Sequence, residues 1–445
     1  MVNTITIVGI GGQLSLFTLV ALGSAFVMSR APGMSKYMPK VVMWMMLGPI
    51  IGTFAPNLFS PQAKLIIDWI GFFAVQSFGL TTGMHLNIAE LRTQGWKIFT
   101  LGITSFVFAF TFDYAVSGTF IQMYPHIFEG YNILQIRIIS GIFAGVTALP
   151  VLSAILNLLG IIRTPLARVN IGMATLHDLI LWPAVGVLLA METTGHGTRG
   201  QAEHGLTTNV TLIILYLVCM VGVVRPVLTW LERFIPDHAF SLRLPMIGNI
   251  SIPLRFLAVL PVLVISCSIT HALHLHALLG AVVCGVILPE SYKRRTFWLE
   301  PYTLHYFLPF FVIGAGLGIS LITLSPEIWM LFGRLVLANI AGQLVGSLFF
   351  AWLLGFSFPI ACAITSFMTC KGIVDLALAR MLYEGDKIPV EMYIAAVLMA
   401  IFLTAITAPI ASFALRFVSD NDDIGKPGAP RWSRLSKRHG HSQSQ

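Results

Sequence analysis

The sequence predicts an all-α polytopic membrane protein of about 13 transmembrane helices. Three observations lead there. Of 445 residues, 56% are hydrophobic and only 10% charged, against roughly 25% charged in a soluble domain; mean hydropathy is +0.83. The apolar stretches run on for about 20 residues each, the length a helix needs to cross a bilayer, and do not alternate at period two as β-barrel strands do. Short polar linkers separate them, and basic residues collect in alternate linkers.

Taken in order, the expected spans fall near 5–29, 39–59, 65–86, 96–123, 134–159, 166–192, 208–231, 254–272, 274–290, 303–323, 331–354, 357–382 and 391–417. The first run has no basic segment before it and is long for a signal peptide, so it reads as a true span. The boundary between the eighth and ninth lies around His271 to His276. The longest polar linkers are 191–205 and the stretch around 232–245. From 418 onward the chain is polar and basic. It reads as a disordered tail, either solvated or touching anionic lipid.

One set of alternate linkers plus the tail holds roughly 20 Lys and Arg residues, and the other holds about 6: Lys64, Arg137, Arg199, Arg334, Arg380 and Lys387. The positive-inside rule then places the C-terminus in the cytoplasm and the N-terminus outside; the expected location is a bacterial inner membrane. The formal net charge of +8 is thus a membrane-flank signature and gives no reason to expect nucleic acid. Cys219, Cys267, Cys284, Cys362 and Cys370 are scattered through apolar segments without metal-ligand spacing. The histidines of THALHLHAL (270–278) have compatible spacing for a metal but no accompanying carboxylate or cysteine. They read as interface residues on the outer side, and no metal or cofactor is expected.

Ionisable residues within a span cost about 2.5–3.5 kcal/mol each on insertion scales, so they point to function. Five stand out: Asp113, His177, Asp178, Lys371 and Asp375. Asp178, near the middle of the sixth span, is either neutralised by protonation or a neighbouring helix, or it binds a proton or small cation. A hard cation takes oxygen ligands, which one carboxylate and backbone carbonyls supply. Pro150 in AGVTALPVLSAI (144–155) lacks an N–H and would clash with the Val146 carbonyl. That segment is either a kink or a true break lining a cavity, with Thr147 facing an ion. Lys371 and Asp375 are spaced i,i+4 and share a helix face; they either neutralise each other or serve the site. Gly372 beside Thr369 permits a second break. Two interrupted helices, one in each half of the chain, point to a transporter site built from inverted repeats, the fifth span pairing with the twelfth and the sixth with the thirteenth. Asp113 reads equally as an interhelix hydrogen-bonding residue or as part of a cation path.

Several segments resemble the monovalent cation:proton antiporter-2 family, especially its plant cation/proton exchanger branch and bacterial relatives. They are VTALPVLSAILNLLGIIRTPLARVNIGMATLHDLILW, HALLGAVVCGVILPE with LPFFVIGAGLGI, and SFMTCKGIVDLALARMLYEG with AAVLMAIFLTAITAPI. They occur in order and span most of residues 40–417. The resemblance implies the sodium/proton antiporter fold, with two crossed broken helices. It implies a transmembrane exchanger domain over 1–417, with a moving core (about 96–192 and 331–417) and a dimerisation scaffold (about 1–86 and 208–323), followed by the tail 418–445. It implies exchange of Na⁺ or K⁺ for H⁺ by an elevator-like movement in a homodimer. Asp178 would be the ion-binding carboxylate, with Thr147 at the crossing and Lys371 and Asp375 on the second broken helix.

Two positions depart from the family pattern. His177 stands where the family has Asn or Asp, and Gln343, in IAGQLVG, stands where many members have Lys. No large cytoplasmic regulatory domain is expected. The reading is therefore a secondary antiporter, not an enzyme, with proton and cation competing for one carboxylate one-for-one. His177 either exchanges a proton itself or reaches a neighbouring helix and orients it. The rival readings are a channel of the same fold without tight proton coupling and a sodium-coupled organic anion carrier. A receptor or membrane enzyme would want a nucleophile–base pair or ligand set that the spans lack.

Overall fold

Proline sets where many of the helices begin. Its fixed φ suits the first turn, where its missing N–H costs nothing. The computed structural model describes residues 4–30, 39–85, 95–162, 164–190, 206–234, 239–244, 248–273, 277–322 and 324–418. The tail from 419 onward, the linker 191–205, and His274 and His276 lie outside them.

In chain order the helices are α1 (Thr4–Arg30), α2 (Lys40–Phe54), α3 (Pro61–His85), α4 (Trp96–Met123), α5 (Ile133–Gly145), α6 (Leu149–Leu158) and α7 (Pro165–Ala190). There follow α8 (Leu206–Cys219) and α9 (Arg225–Leu231), joined by a π turn, then α10 (Leu254–Ala272), α11 (Ala277–Ile287) and α12 (Glu290–Thr296). A further π turn joins α13 (Leu299–Tyr302) to α14 (Leu308–Gly316), and another joins α15 (Pro326–Gln343) to α16 (Phe350–Leu353). The chain closes with α17 (Phe358–Met368), α18 (Ile373–Glu384) and α19 (Val390–Leu415). Prolines occupy the first turn of α6, α14, α15 and α17. At the start of α5 the Asn132 side chain accepts a hydrogen bond from the Gln135 N–H, an N-cap that occupies one of the donors a helix start leaves free.

Among the described residues, nine helices are long and apolar enough to cross a membrane, and three shorter apolar helices accompany them. Helical segments occupy every expected span. The tenth is displaced most, running from Leu299 to Gly316 with a π turn inside it. The eleventh begins at Pro326, five residues before its expected start. Arg334, counted with the linker residues from the sequence although it falls within the expected span 331–354, is inside α15, with its side chain only 9% exposed. Arg380 likewise lies in α18.

The linker near 232–245 also departs from expectation. Residues Ala239–Leu244 and Gly248–Pro253 form a two-stranded antiparallel hairpin, with Ala239 opposite Pro253 and Leu244 opposite Gly248. The sequence there, AFSLRL and then GNISIP, alternates apolar and polar at period two, the signal of a strand rather than a helix.

Helices α3, α10, α11 and α14 pack together, with α14 also against α2; α4, α5, α7, α15, α17 and α19 form a second set. Small residues set the closest approaches, as in membrane helix pairs. A Cβ on Gly83 would run into the Val282 carbonyl and come within 3.0 Å of the Gly285 Cα. We therefore expect Gly83→Val to force α3 and α11 apart. The loss of a monodisperse gel-filtration peak would register it; a normal peak with unchanged thermal stability would count against this packing.

The two broken helices lie in the second set. Of the candidate spans, the one running Phe358–Glu384 is the most enclosed, with 94% of its apolar window buried. The most polar of the broken helices is thus at the centre of the protein, away from lipid.

Candidate functional site

The first break falls where the sequence suggests, shifted slightly towards the N-terminus. α5 stops at Gly145, Val146 and Ala148 are extended, and α6 restarts at Leu149 with Pro150 in its first turn. Pro150 therefore begins the second half-helix and does not interrupt the first. The second break runs from Thr369 to Gly372, between α17 and α18. The two extended segments cross: the Ala148 N–H donates to the Cys370 carbonyl at 3.3 Å. Thr147 Oγ1 donates to the Met368 carbonyl at 2.7 Å. Gly372 makes the crossing possible, because a Cβ there would collide with the Val151 side chain.

Each half-helix end at such a crossing carries a partial charge, positive at N-termini and negative at C-termini. Lys371 and Asp375 answer those charges. Lys371 Nζ donates to the Phe143 carbonyl at 2.5 Å, to that of Ala144 at 3.2 Å, and to that of Val146. It thus places its ammonium on the carbonyls that α5 leaves free. Asp375, in the first turn of α18, accepts from the Gly372 N–H at 2.8 Å. Lys371 and Asp375 also face each other, Nζ to Oδ1 3.9 Å. Both are fully buried. Their main hydrogen bonds are nevertheless to backbone, a role that i,i+4 spacing alone does not reveal.

Two polar residues from neighbouring helices complete the crossing. Asn339 of α15 donates to the Ala144 carbonyl at 2.6 Å, and Thr404 of α19 donates to the Lys371 carbonyl at 2.7 Å. The sequence reading missed both. The available signal was weak: an amide and a hydroxyl within otherwise apolar runs.

α7 packs against both α6 and α17, one half from each broken helix. It carries Asp178, which is fully buried, and neither carboxylate oxygen has a hydrogen-bond partner. A buried polar atom without a partner costs roughly 1–3 kcal/mol, more when charged. Asp178 is therefore the least satisfied acid beside the crossing, with both oxygens unpartnered where Asp375 has one.

His177 turns the other way. Its Nε2 lies 3.0 Å from the Gly102 carbonyl and 2.8 Å from Ser105 Oγ, both on α4. A carbonyl only accepts, so Nε2 carries the proton in that contact. Its ring also lies 5.8 Å from that of Phe106. Gln343, at the end of α15, is buried and accepts from Ser347 Oγ at 2.6 Å within its own stretch of chain. Asp113 of α4 is paired with Arg334 of α15 at 3.4 Å, and Arg334 also donates to Ser140 Oγ at 2.6 Å. The structure thus brings Thr147, Lys371 and Asp375 together at the crossing, with Pro150 starting one of its arms. Asp178 sits on the helix alongside, while His177 and Gln343 make their contacts elsewhere.

Comparison with known proteins agrees with this architecture. The family "Sodium/hydrogen exchanger, transmembrane" matches residues 16–415. Cation/H(+) antiporter 15 of Arabidopsis thaliana is 24% identical over 409 residues, covering 90% of this chain and 47% of that protein. The Na(+)/H(+) antiporter NhaS4 of Synechocystis is 24% identical over 382 residues, covering 83% of this chain and 88% of its own length. The chain spans about half the length of the plant relatives it matches. The sodium proton antiporter MjNhaP1 of Methanocaldococcus jannaschii has the same fold, with a TM-score of 0.59 at 16% identity over 92% of this chain and 98% of that one. With residues 16–415 matched, this chain is an integral membrane protein of the transmembrane sodium/hydrogen exchanger family.

Proposed function

We propose that the protein exchanges a monovalent cation, K⁺ or Na⁺, for H⁺ across the membrane, one for one, at the carboxylate of Asp178. The observation that carries this is the charge balance of the buried groups. Among the described residues, Lys371 faces Asp375 and Arg334 faces Asp113. That leaves Asp178 buried with two unpartnered oxygens and no opposite charge of its own. One proton or one monovalent cation neutralises it equally well. A loaded site is then close to neutral in either state, while an empty one carries a buried charge. Burying a lone charge is costly, so the empty site crosses slowly and exchange is enforced.

The two packed sets of helices support a division into a core (96–192 and 331–417) and a scaffold (1–86 and 208–323). The core would carry Asp178 past the scaffold in an elevator-like movement. The scaffold would join two copies as a homodimer. Relatives supply both cation choices: a K(+)/H(+) antiporter of Saccharomyces cerevisiae and the Na(+)/H(+) antiporter of Synechocystis. The positive-inside reading keeps the C-terminus cytoplasmic in a bacterial inner membrane.

A proteoliposome assay of proton release against Na⁺, K⁺, Li⁺ and Rb⁺, with and without a clamped membrane potential, tests the proposal. Proton release that saturates with one or more cations and is indifferent to the clamp is expected. Cation flux without proton movement would favour a channel, and flux of an organic anion that ignores the proton gradient would favour a carrier.

For His177 we favour the orienting role, because its protonated nitrogen is held by α4. His177→Asn should then lower thermal stability through the lost buried contact, by about 1–3 kcal/mol. The shape of the pH–activity curve should stay unchanged. A displaced pH profile with intact stability would instead make His177 a proton carrier.

A further inference from the structure

We propose that Arg380 is a positioning residue that latches the second broken helix onto the neighbouring helices α3 and α14 in this conformation and releases it when the core moves. The proposal rests on the exchanger reading for its role in transport, but on separate residues for its geometry.

α18 has two functional ends. Its first turn carries Asp375, next to Lys371 at the crossing. Near its other end, Arg380 donates from Nε to Glu384 Oε1 at 2.7 Å and from Nη2 to Asp68 Oδ1 on α3 at 3.0 Å. Glu384 is on the same helix, one turn on, and holds the guanidinium in a fixed direction. Asp68 lies 312 residues earlier in sequence and belongs to the other set of helices.

The pair rests on α14. An added Cβ at Gly314 would lie 3.9 Å from Asp68 Oδ1 and 4.0 Å from Arg380 Nη1. The Arg380 guanidinium also sits 5.9 Å from the Phe311 ring centre. Close by, Tyr393 of α19 donates its hydroxyl to the Ala315 carbonyl of α14 at 2.7 Å. Two core helices thus meet α3 and α14 through polar contacts at one level of the bundle.

These contacts suit a latch rather than a permanent weld. Asp68 and Glu384 are about half exposed, with side chains 48% and 47% accessible, while that of Arg380 is 20% accessible. The carboxylates can exchange the arginine for water at small cost, since ion pairs at such exposure contribute roughly 1 kcal/mol or less. A planar guanidinium held by two carboxylates nonetheless fixes direction better than a lysine would. Because α18 is a short rigid rod, movement of Lys371 and Asp375 relative to α3 must either break the Arg380–Asp68 contact or drag Asp68 along. Asp68 is tied into α3, which packs closely on α11 and α14. The contact must therefore break.

The test uses the full chain in lipid nanodiscs and reads amide hydrogen exchange over residues 65–72, 310–317 and 376–384. Three variants are compared with the parent: Asp68→Asn, Arg380→Gln, and the charge-swapped pair Asp68→Arg with Arg380→Asp. Each single variant is expected to raise exchange in all three segments by roughly two- to fivefold, and the swapped pair is expected to restore the parent pattern. In proteoliposomes the singles should change the maximal exchange rate with the apparent cation affinity unaltered. Arg380→Lys should recover part of the parental behaviour. Parental hydrogen exchange in both singles, or no restoration in the swapped pair, would overturn the latch and leave the exchanger reading standing. The amide measurement needs no ion flux. An unmodified chain that moves no cation would therefore overturn the exchanger reading, and the latch's role in transport with it, while the single-variant pattern still decides whether the contact holds this conformation.

Discussion

Replacing Asp178 with asparagine abolishes cation-driven proton flux, while the protein still folds. Both halves of that expectation follow from the geometry. Asp178 is fully buried, and its two carboxylate oxygens have no hydrogen-bond partner. No native contact is lost by the change, and asparagine has nearly the same shape. The folded state is relieved of a buried acid, so thermal stability should hold or rise slightly. The chemistry, in contrast, has no substitute. Asparagine neither binds a proton in this pH range nor offers a charge to a cation. Asp375 cannot take its place, because its Oδ2 is committed to the Gly372 N–H and its Oδ1 faces Lys371. Asp113 cannot either, because it faces Arg334. The measurement is proton release on addition of cation to proteoliposomes, with a melting curve of the same preparation alongside. Cation-dependent proton release near the parental rate would sink the single-carboxylate mechanism. Lost flux accompanied by a lower melting temperature would mean that Asp178 matters for folding and not for binding.

How far the sequence alone leads can be judged from particular residues. Asp178 was legible because a carboxylate in an apolar run is costly enough to demand a reason. The two breaks were legible because Pro150 and Gly372 each fit badly inside a continuous helix. The helical segments were legible because apolar length is read directly from composition. Other features depend on contacts that no local pattern encodes. Lys371 meets the Phe143 carbonyl across 228 positions, and Asn339 meets Ala144 across 195. Local spacing suggested an Asp375 partner for Lys371, and that contact exists, but it is the longer one. Arg334 was misplaced for a different reason. It stands near the start of its expected span, where a basic residue reads as a membrane flank, and its pairing with Asp113 on another helix is a contact that position in the span does not reveal. The role of His177 could not be read because consecutive helical residues point about 100° apart. Which neighbour it meets is a matter of packing.

The second large effect concerns Lys371. Lys371→Met should cost both stability and transport, and the reason lies in what is left behind. The ammonium satisfies carbonyls of Phe143, Ala144 and Val146 at the end of α5. Methionine fills much of the same volume but donates nothing. The Phe143 and Val146 carbonyls would be left without this donor inside the buried crossing, while that of Ala144 keeps Asn339, and Asp375 would lose the only opposite charge facing it among the described residues. Breaking a buried charge pair by removing one partner costs about 3–5 kcal/mol. A fall in melting temperature of about 5 °C or more is therefore expected, with exchange lost. The double variant Lys371→Met with Asp375→Asn separates the two contributions. It removes the stranded carboxylate charge but leaves the carbonyls unsatisfied, so it should recover part of the stability and none of the transport. If the double variant is no more stable than the single, the pair contributes little and Lys371 acts purely as a cap on α5. If the single variant melts with the parent, the crossing is held by Thr147, Thr404 and Asn339 alone. The positive charge at position 371 would then have to be explained by the ion and not by the fold.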